Sequence, residues 1–142
     1  MARITIDLPE QFLFSTEIDV RISDINYGQH LGNDAVLALL HEARVRLLAA
    51  HGLSEQDAGG CGMIMADAAV VYKSQGRYGQ RLRISIAISD PGAAGCDLLY
   101  QMCDAATGTE VARAKTGMVF FDYTRNKIAR MPEAFKALFT AR

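Results

Sequence analysis

Residues 34–51 read DAVLALLHEARVRLLAAH, a stretch without a glycine or a proline. Asn33 ahead of it is a good helix N-cap, Asp34 suits the positive end of a helix dipole, and Gly52 fits just past the other end. The spacing predicts a helix about 27 Å long at 1.5 Å per residue. Its first half, Ala35 to Leu40, is apolar on every side, so the helix has to be covered on most of its surface. Its second half sets Glu42 and Arg46 one turn apart, where an exposed pair stabilises a helix only weakly.

Outward from this helix the period changes to two. Upstream, Phe12, Phe14, Thr16, Ile18, Val20 and Ile22 fall on one side, and Leu13, Ser15, Glu17, Asp19 and Arg21 on the other, Leu13 being the one exception. That is a strand with one face in a core. Downstream, four strand-like runs follow: Met63 to Ser74, Leu82 to Ile88, Leu98 to Cys103 and Val111 to Asp122. Turn chemistry separates them, at Gly76-Arg77-Tyr78-Gly79, Asp90-Pro91-Gly92 and Thr107-Gly108. The short links predict a meander of antiparallel neighbours. Pro132 to about residue 140 reads as a short amphipathic helix. The fold class is α+β: one long helix wrapped by a curved antiparallel sheet of five or six strands, in a single domain over 1–142. Such a layer pair leaves little room for an enclosed pocket, so a site formed between two subunits is expected, with a symmetric dimer as the default.

Composition narrows the function. Of 142 residues half are hydrophobic, enough for one core and too few residues for two ordinary domains. Lys+Arg is 15 against Asp+Glu 16, which argues against a nucleic-acid partner held through phosphates. The longest apolar run, Ala35 to Leu40, is too short to span a bilayer, and MARITIDLPEQF does not have the pattern of a secretory signal. Cys61, Cys96 and Cys103 are odd in number and include no C-x-x-C pair. They read as small buried hydrophobes in a reducing cytoplasm rather than as disulfide or zinc partners. Glycine-rich phosphate loops, a G-x-S-x-G elbow and a histidine metal set are all missing from the sequence.

Polar groups gather between the first strand and the helix: Ser23, Asp24, Asn26, Tyr27, Gln29, His30 and Asn33. A helix start offers unpaired N–H groups and a positive dipole end, which polarise a carbonyl and hold an oxyanion. A carboxylate just upstream serves as nucleophile or as base for a water. Together these parts suit acyl transfer to water. The competing structural reading gives the same Asx residues to turns and caps.

The string Arg21-Ile22-Ser23-Asp24-Ile25-Asn26-Tyr27-Gly28-Gln29-His30-Leu31-Gly32-Asn33, followed by His41-Glu42-Ala43-Arg44, resembles the signature of hotdog-fold acyl-CoA thioesterases of the 4-hydroxybenzoyl-CoA thioesterase-like family. Val71-Tyr72-Lys73, Arg77-Tyr78-Gly79-Gln80, Val111 to Thr116 and Met118 to Asp122 are similar to later parts of that family, so the resemblance covers roughly 12–123. It implies hydrolysis of an acyl-CoA by a cytoplasmic homodimer or homotetramer. CoA enters as part of the substrate, and there is no metal or other cofactor. One departure stands out. The family pattern D-x-D-x-x-G-H-V-N-N carries its usual catalytic carboxylate at the second Asp, and that position here is Asn26. Asp24-x-Asn26 followed by His30 is similar instead to the D-x-N-x-H string of plant acyl-ACP thioesterases, with two more residues between Asn26 and His30 here. By that analogy Asp24 is the nucleophile or base, Asn26 orients the carbonyl or the water, and His30 assists proton transfer. The amides from Leu31 to Asn33 form the oxyanion site.

Glu42 on the helix and Asp67 inside an apolar strand are the alternative carboxylates, Asp67 by reaching a partner's loop. Lys73, Arg77, Lys115 and Arg125 are candidates for the CoA phosphates, with Arg77 and Lys115 favoured by the resemblance and each equally readable as surface charge. Two rivals remain. One is a hydratase or dehydratase on the same scaffold. The other is a non-catalytic acyl-CoA sensor, which the Asn26 departure favours.

Overall fold

The computed structural model describes residues 1–140. The first strand, β1, spans Phe14–Asp19. It is followed by a 3-10 turn at Ile22–Asp24 and the helix α1 at Asn33–Ala50. Then come β2 (Gly62–Tyr72), β3 (Arg81–Ser89), β4 (Gly95–Asp104), β5 (Glu110–Asp122) and the two-residue β6 (Lys127–Ile128). A single turn of helix, α2 (Glu133–Lys136), runs into a 3-10 turn at Ala137–Thr140, where one short helix is expected.

The six strands form one antiparallel sheet in the order β1-β3-β4-β5-β2, with β6 beside the end of β5. The expected meander holds for β3, β4 and β5 but not for β2, which pairs with β5 at the opposite edge from β1. The link over residues 73–80 therefore crosses the end of the sheet instead of closing a hairpin. Its eight residues reach about 26 Å when extended, ample for three strand spacings of about 4.8 Å each. That crossing places residues 73–76 beside the start of α1, where they become a wall of the site.

The helix packs Val36, Leu39, Leu40, Ala43, Leu47 and Leu48 onto the sheet's inner face. Ile84, Ile86, Leu98 and Met102 are fully buried there. Fully burying such a side chain contributes about 1.5–3 kcal/mol, so this interface carries much of the stability. The opposite flank stays open: Leu37 is 38% and Val45 44% exposed. This 18-residue helix therefore lies on one face of the sheet rather than inside a wrap, with part of its apolar surface exposed. Its N-cap is Gly32 and not Asn33, which is already helical, and no side chain caps the first turn. The far end stops as expected, with Gly52 in the left-handed region at φ +71°.

A polar string crosses the core. Buried Arg44 donates to the Tyr100 hydroxyl (3.0 Å), which shares a 2.8 Å hydrogen bond with Thr116, and Glu55 lies 3.5 Å from the Arg44 Nε. Phe135 closes the far end edge-on against Phe120, 4.9 Å between centroids. The segment before β1 lies against the sheet's outer face, held where Arg113 donates to the Ile6 carbonyl (3.0 Å). Among the described residues no helix is long and apolar enough to cross a membrane.

Candidate active site

The loop from Ile25 to Gly32 is folded on its own main chain. Asn26 N–H donates to the His30 carbonyl (2.9 Å), and Gln29 N–H, from a residue at φ +69°, donates to Asn26 (3.1 Å). The Asn26 side chain finishes the turn. Its Oδ1 accepts from the N–H of Gly28 (2.9 Å) and of His30 (3.3 Å). With Oδ1 so used, the Nδ2 group is left as the free end of the amide. The loop is tied to the crossing link by Leu31 N–H to the Gly76 carbonyl (2.9 Å) and to the 3-10 turn by Gly32 N–H to the Asp24 carbonyl (2.9 Å). Gly76 has to be glycine for packing: a Cβ there would stand 2.8 Å from Leu31 Cβ.

A cavity of about 570 Å³ opens between these parts. Asn26, His30 and Leu31 line it from the loop, Asn33 and Val36 from the start of α1, and Tyr72, Lys73, Ser74 and Gln75 from β2 and the link. Leu31, Val36 and Val111 give it an apolar wall. The first-turn N–H groups of α1 have no helical partner, and no side chain caps them. The His30 imidazole makes no hydrogen bond to another described residue. Tyr72 donates its hydroxyl to the Asn33 carbonyl (3.2 Å), pinning the end of β2 to the helix start. The sequence places Tyr72 in the family-like strand Val71-Tyr72-Lys73 but gives it no part in the site. The alternation of β2 could have found it, since it shares the inner face with Val70, which packs against the core.

Of the expected site residues, the structure brings Asn26, His30, Asn33 and Lys73 together around this cavity. The others stand elsewhere. Asp24 is only 5% exposed and does not line the cavity. Its carboxylate closes the 3-10 turn, accepting from the Arg21 N–H (2.8 Å) and from the Arg21 guanidinium (3.1 and 3.3 Å). Burial works to raise its pKa, but the side-chain hydrogen bonds, the backbone N–H and the charge of Arg21 outweigh burial and hold it below the usual carboxylate range. Glu42 is exposed and paired with Arg46 at 2.9 Å.

Asp67 is paired, on the outer face. It pairs in register with Gly117 on the face of the sheet away from α1, is exposed, and is not a buried acid. Its Oδ1 accepts from Lys115 Nζ (2.8 Å) and Gly117 N–H (2.9 Å). The Lys115 hydrogen bond, against slight burial, lowers the Asp67 pKa, and the same bond raises that of Lys115. Lys115 also faces Asp97 at 3.4 Å, so its charge is spent on the outer face rather than at the cavity mouth. Arg77 lies in the next depression along the link, and Arg125 sits by Asp122 (3.8 Å) in the turn after β5.

The model of the thioesterase-like superfamily matches residues 20–139. The chain belongs to that superfamily. Solved structures agree at the level of the fold. A 1,4-dihydroxy-2-naphthoyl-CoA thioesterase from Synechocystis is 22% identical, with 89% of this chain and 95% of that one covered at a TM-score of 0.82. A Staphylococcus aureus protein in complex with CoA is 16% identical, covering 96% and 86% at 0.81. A thioesterase superfamily protein from Jannaschia sp. is 15% identical, covering 93% and 84% at 0.82. No curated protein matches the chain in sequence.

Proposed function

We propose that this superfamily member hydrolyses an acyl-CoA thioester to the free acid and CoA in the cavity at the start of α1. The observation that carries the reading is the convergence there of unpaired helix N–H groups, the Asn26 amide and an unbonded imidazole. The thioester carbonyl lies against the first-turn N–H groups near Asn33 and the Asn26 Nδ2, which stabilise negative charge as it develops on oxygen. No carboxylate of the described residues lines the cavity, so the attacking group is water, and His30 takes its proton. The protonated imidazole then returns that proton to the departing thiolate. Asp24 acts through position: its ion pair with Arg21 and its carbonyl fix the turn that leads into the loop. Lys73 stands at the mouth for the anionic arm of CoA. No metal or redox cofactor enters this scheme.

A homodimer completes the site. β2 has one partner strand among the described residues, Met65 on it is 44% exposed, and the flank of α1 with Leu37 and Val45 is open. A second copy pairing along β2 would extend the sheet and cover that flank, leaving the helix central and wrapped as the hotdog arrangement has it.

Thiol release from a panel of short, long and aromatic acyl-CoAs tests the proposal. Turnover with at least one panel member, lost in His30→Gln at unchanged fold, supports it. Tight CoA binding with no thiol release would make the protein a sensor instead.

A further inference from the structure

Behind the helix-start cavity lies an apolar strip that the cavity does not reach. The cavity is lined by Tyr72 on β2 and by Asn33 and Val36 on α1, but by neither Val70 nor Leu37. Val70 is the next residue of β2 on the inner face, and Ala68 follows it. On α1, Leu39, Glu42 and Arg46 turn toward β1, so Leu37, one turn beyond Asn33, turns to the β2 side. Leu37 and Ala68 are exposed and Val70 is half-buried, which leaves the strip open between strand and helix. From Tyr72 to Ala68 it runs about 14 Å at 3.4 Å per residue. At its far end stands Thr116, which pairs with Ala68 and whose hydroxyl is held by Tyr100 (2.8 Å).

One ring separates the two spaces. Tyr72 starts on β2 and its hydroxyl reaches the Asn33 carbonyl (3.2 Å), so the side chain crosses from sheet to helix as a bar. The hydroxyl tie fixes the bar in place, and the ring is the part an acyl chain would meet. Core packing does not call for it. Tyr72 is 48% exposed, and no aromatic ring of the described residues packs against it. Its strand pairing with Ala112 is made by the backbone, so a smaller side chain removes the bar and keeps the strand.

We propose that Tyr72 sets the length of the acyl group: its ring stops the chain at the cavity, so compact acyl groups are cleaved and long alkyl chains are turned away. The inference rests on the hydrolase reading of the cavity and adds to it the class of acyl group and the residue that selects it. With the ring removed, an alkyl chain passes from the cavity into the strip between Val70 and Leu37. Each methylene fully buried there is worth about fourfold in binding. The strip is open on one side, so four methylenes half-covered in it gain about tenfold.

The test is the ratio of kcat/KM for decanoyl-CoA to that for butyryl-CoA, measured on the whole chain. The wild type should favour butyryl-CoA. Tyr72→Ala should raise the ratio about tenfold, and Tyr72→Phe, which keeps the ring, should stay within about threefold of the wild type. Tyr72→Val, a good strand former, gives the same reading if the alanine protein does not fold. A merely structural loss lowers both rates together. A ratio unmoved by removal of the ring, an equal rise in Tyr72→Phe, or a wild type that already prefers decanoyl-CoA overturns the proposal while leaving hydrolysis standing. If no ester is cleaved, the hydrolase reading fails, and calorimetry with the uncleavable thioethers S-butyl-CoA and S-decyl-CoA still decides the stop. There, about tenfold tighter binding of S-decyl-CoA relative to S-butyl-CoA in Tyr72→Ala supports it, and no change overturns it.

Discussion

The Asn26 side chain has two duties that substitution separates. Its Oδ1 accepts two loop N–H groups, at 2.9 and 3.3 Å, and in the proposed mechanism its Nδ2 is the donor to the thioester oxygen. Asn26→Ala removes both. The loop is exposed and water can replace the lost acceptor, so the stability cost is at the low end for two hydrogen bonds, about 1 kcal/mol, or about 3 °C in Tm for a domain of this size. Loss of one donor to a developing oxyanion costs about 100-fold in kcat. Asn26→Asp keeps an acceptor in the same place for both N–H groups and removes only the donor. It should therefore melt with the wild type and still lose about 100-fold in kcat. Thermal melts and thiol release at saturating acyl-CoA, run on the three proteins together, give the answer. An Asn26→Asp protein as active as the wild type, or more so, refutes the donor role and points to a carboxylate mechanism at this position.

Three further outcomes follow from the packing and the charges. The Asp24 pKa is held below its unfolded value of about 3.9, so the Arg21 pairing stabilises fully above that pH and is lost as pH falls through the lower native value. Asp24→Asn should thus be less stable than the wild type at neutral pH, and their urea midpoints should converge in acid. Glu55→Gln leaves the buried Arg44 charge without its counter-ion, and with Glu55 partly solvated the cost should be about 2 kcal/mol by urea unfolding. Gly76→Ala drives a methyl to 2.8 Å from Leu31 and should cost about 2 kcal/mol while raising KM, because Leu31 is a wall of the cavity.

The elements that sequence reading found are those written in a local period. α1 and the polar loop before it are bounded by residues whose chemistry is local: Asp34, Gly52 and the Asx turn at Asn26. What it missed depends on distance through space. A link of eight residues closes a wide hairpin or crosses a sheet end equally well, and only the pairing of β2 with β5 decides. The face of Asp67 could not be counted along the strand, since the register shifts between Met65 and Asp67 and one extra residue turns the rest over. Asp24 pointed toward chemistry by its position in the motif. The competing partner, Arg21, stood three residues away, and the 3-10 turn that joins them leaves no period to read.

The superfamily match supports thioester chemistry in general, and the mechanism proposed above is narrower: water, not a side-chain carboxylate, attacks the acyl carbon. A single turnover of acyl-CoA in heavy-oxygen water, with the enzyme in excess, tests that directly. Attack by water places one heavy oxygen in the product acid and none in the protein. Unlabelled acid, with the label recovered in the Asp24 peptide, would contradict it.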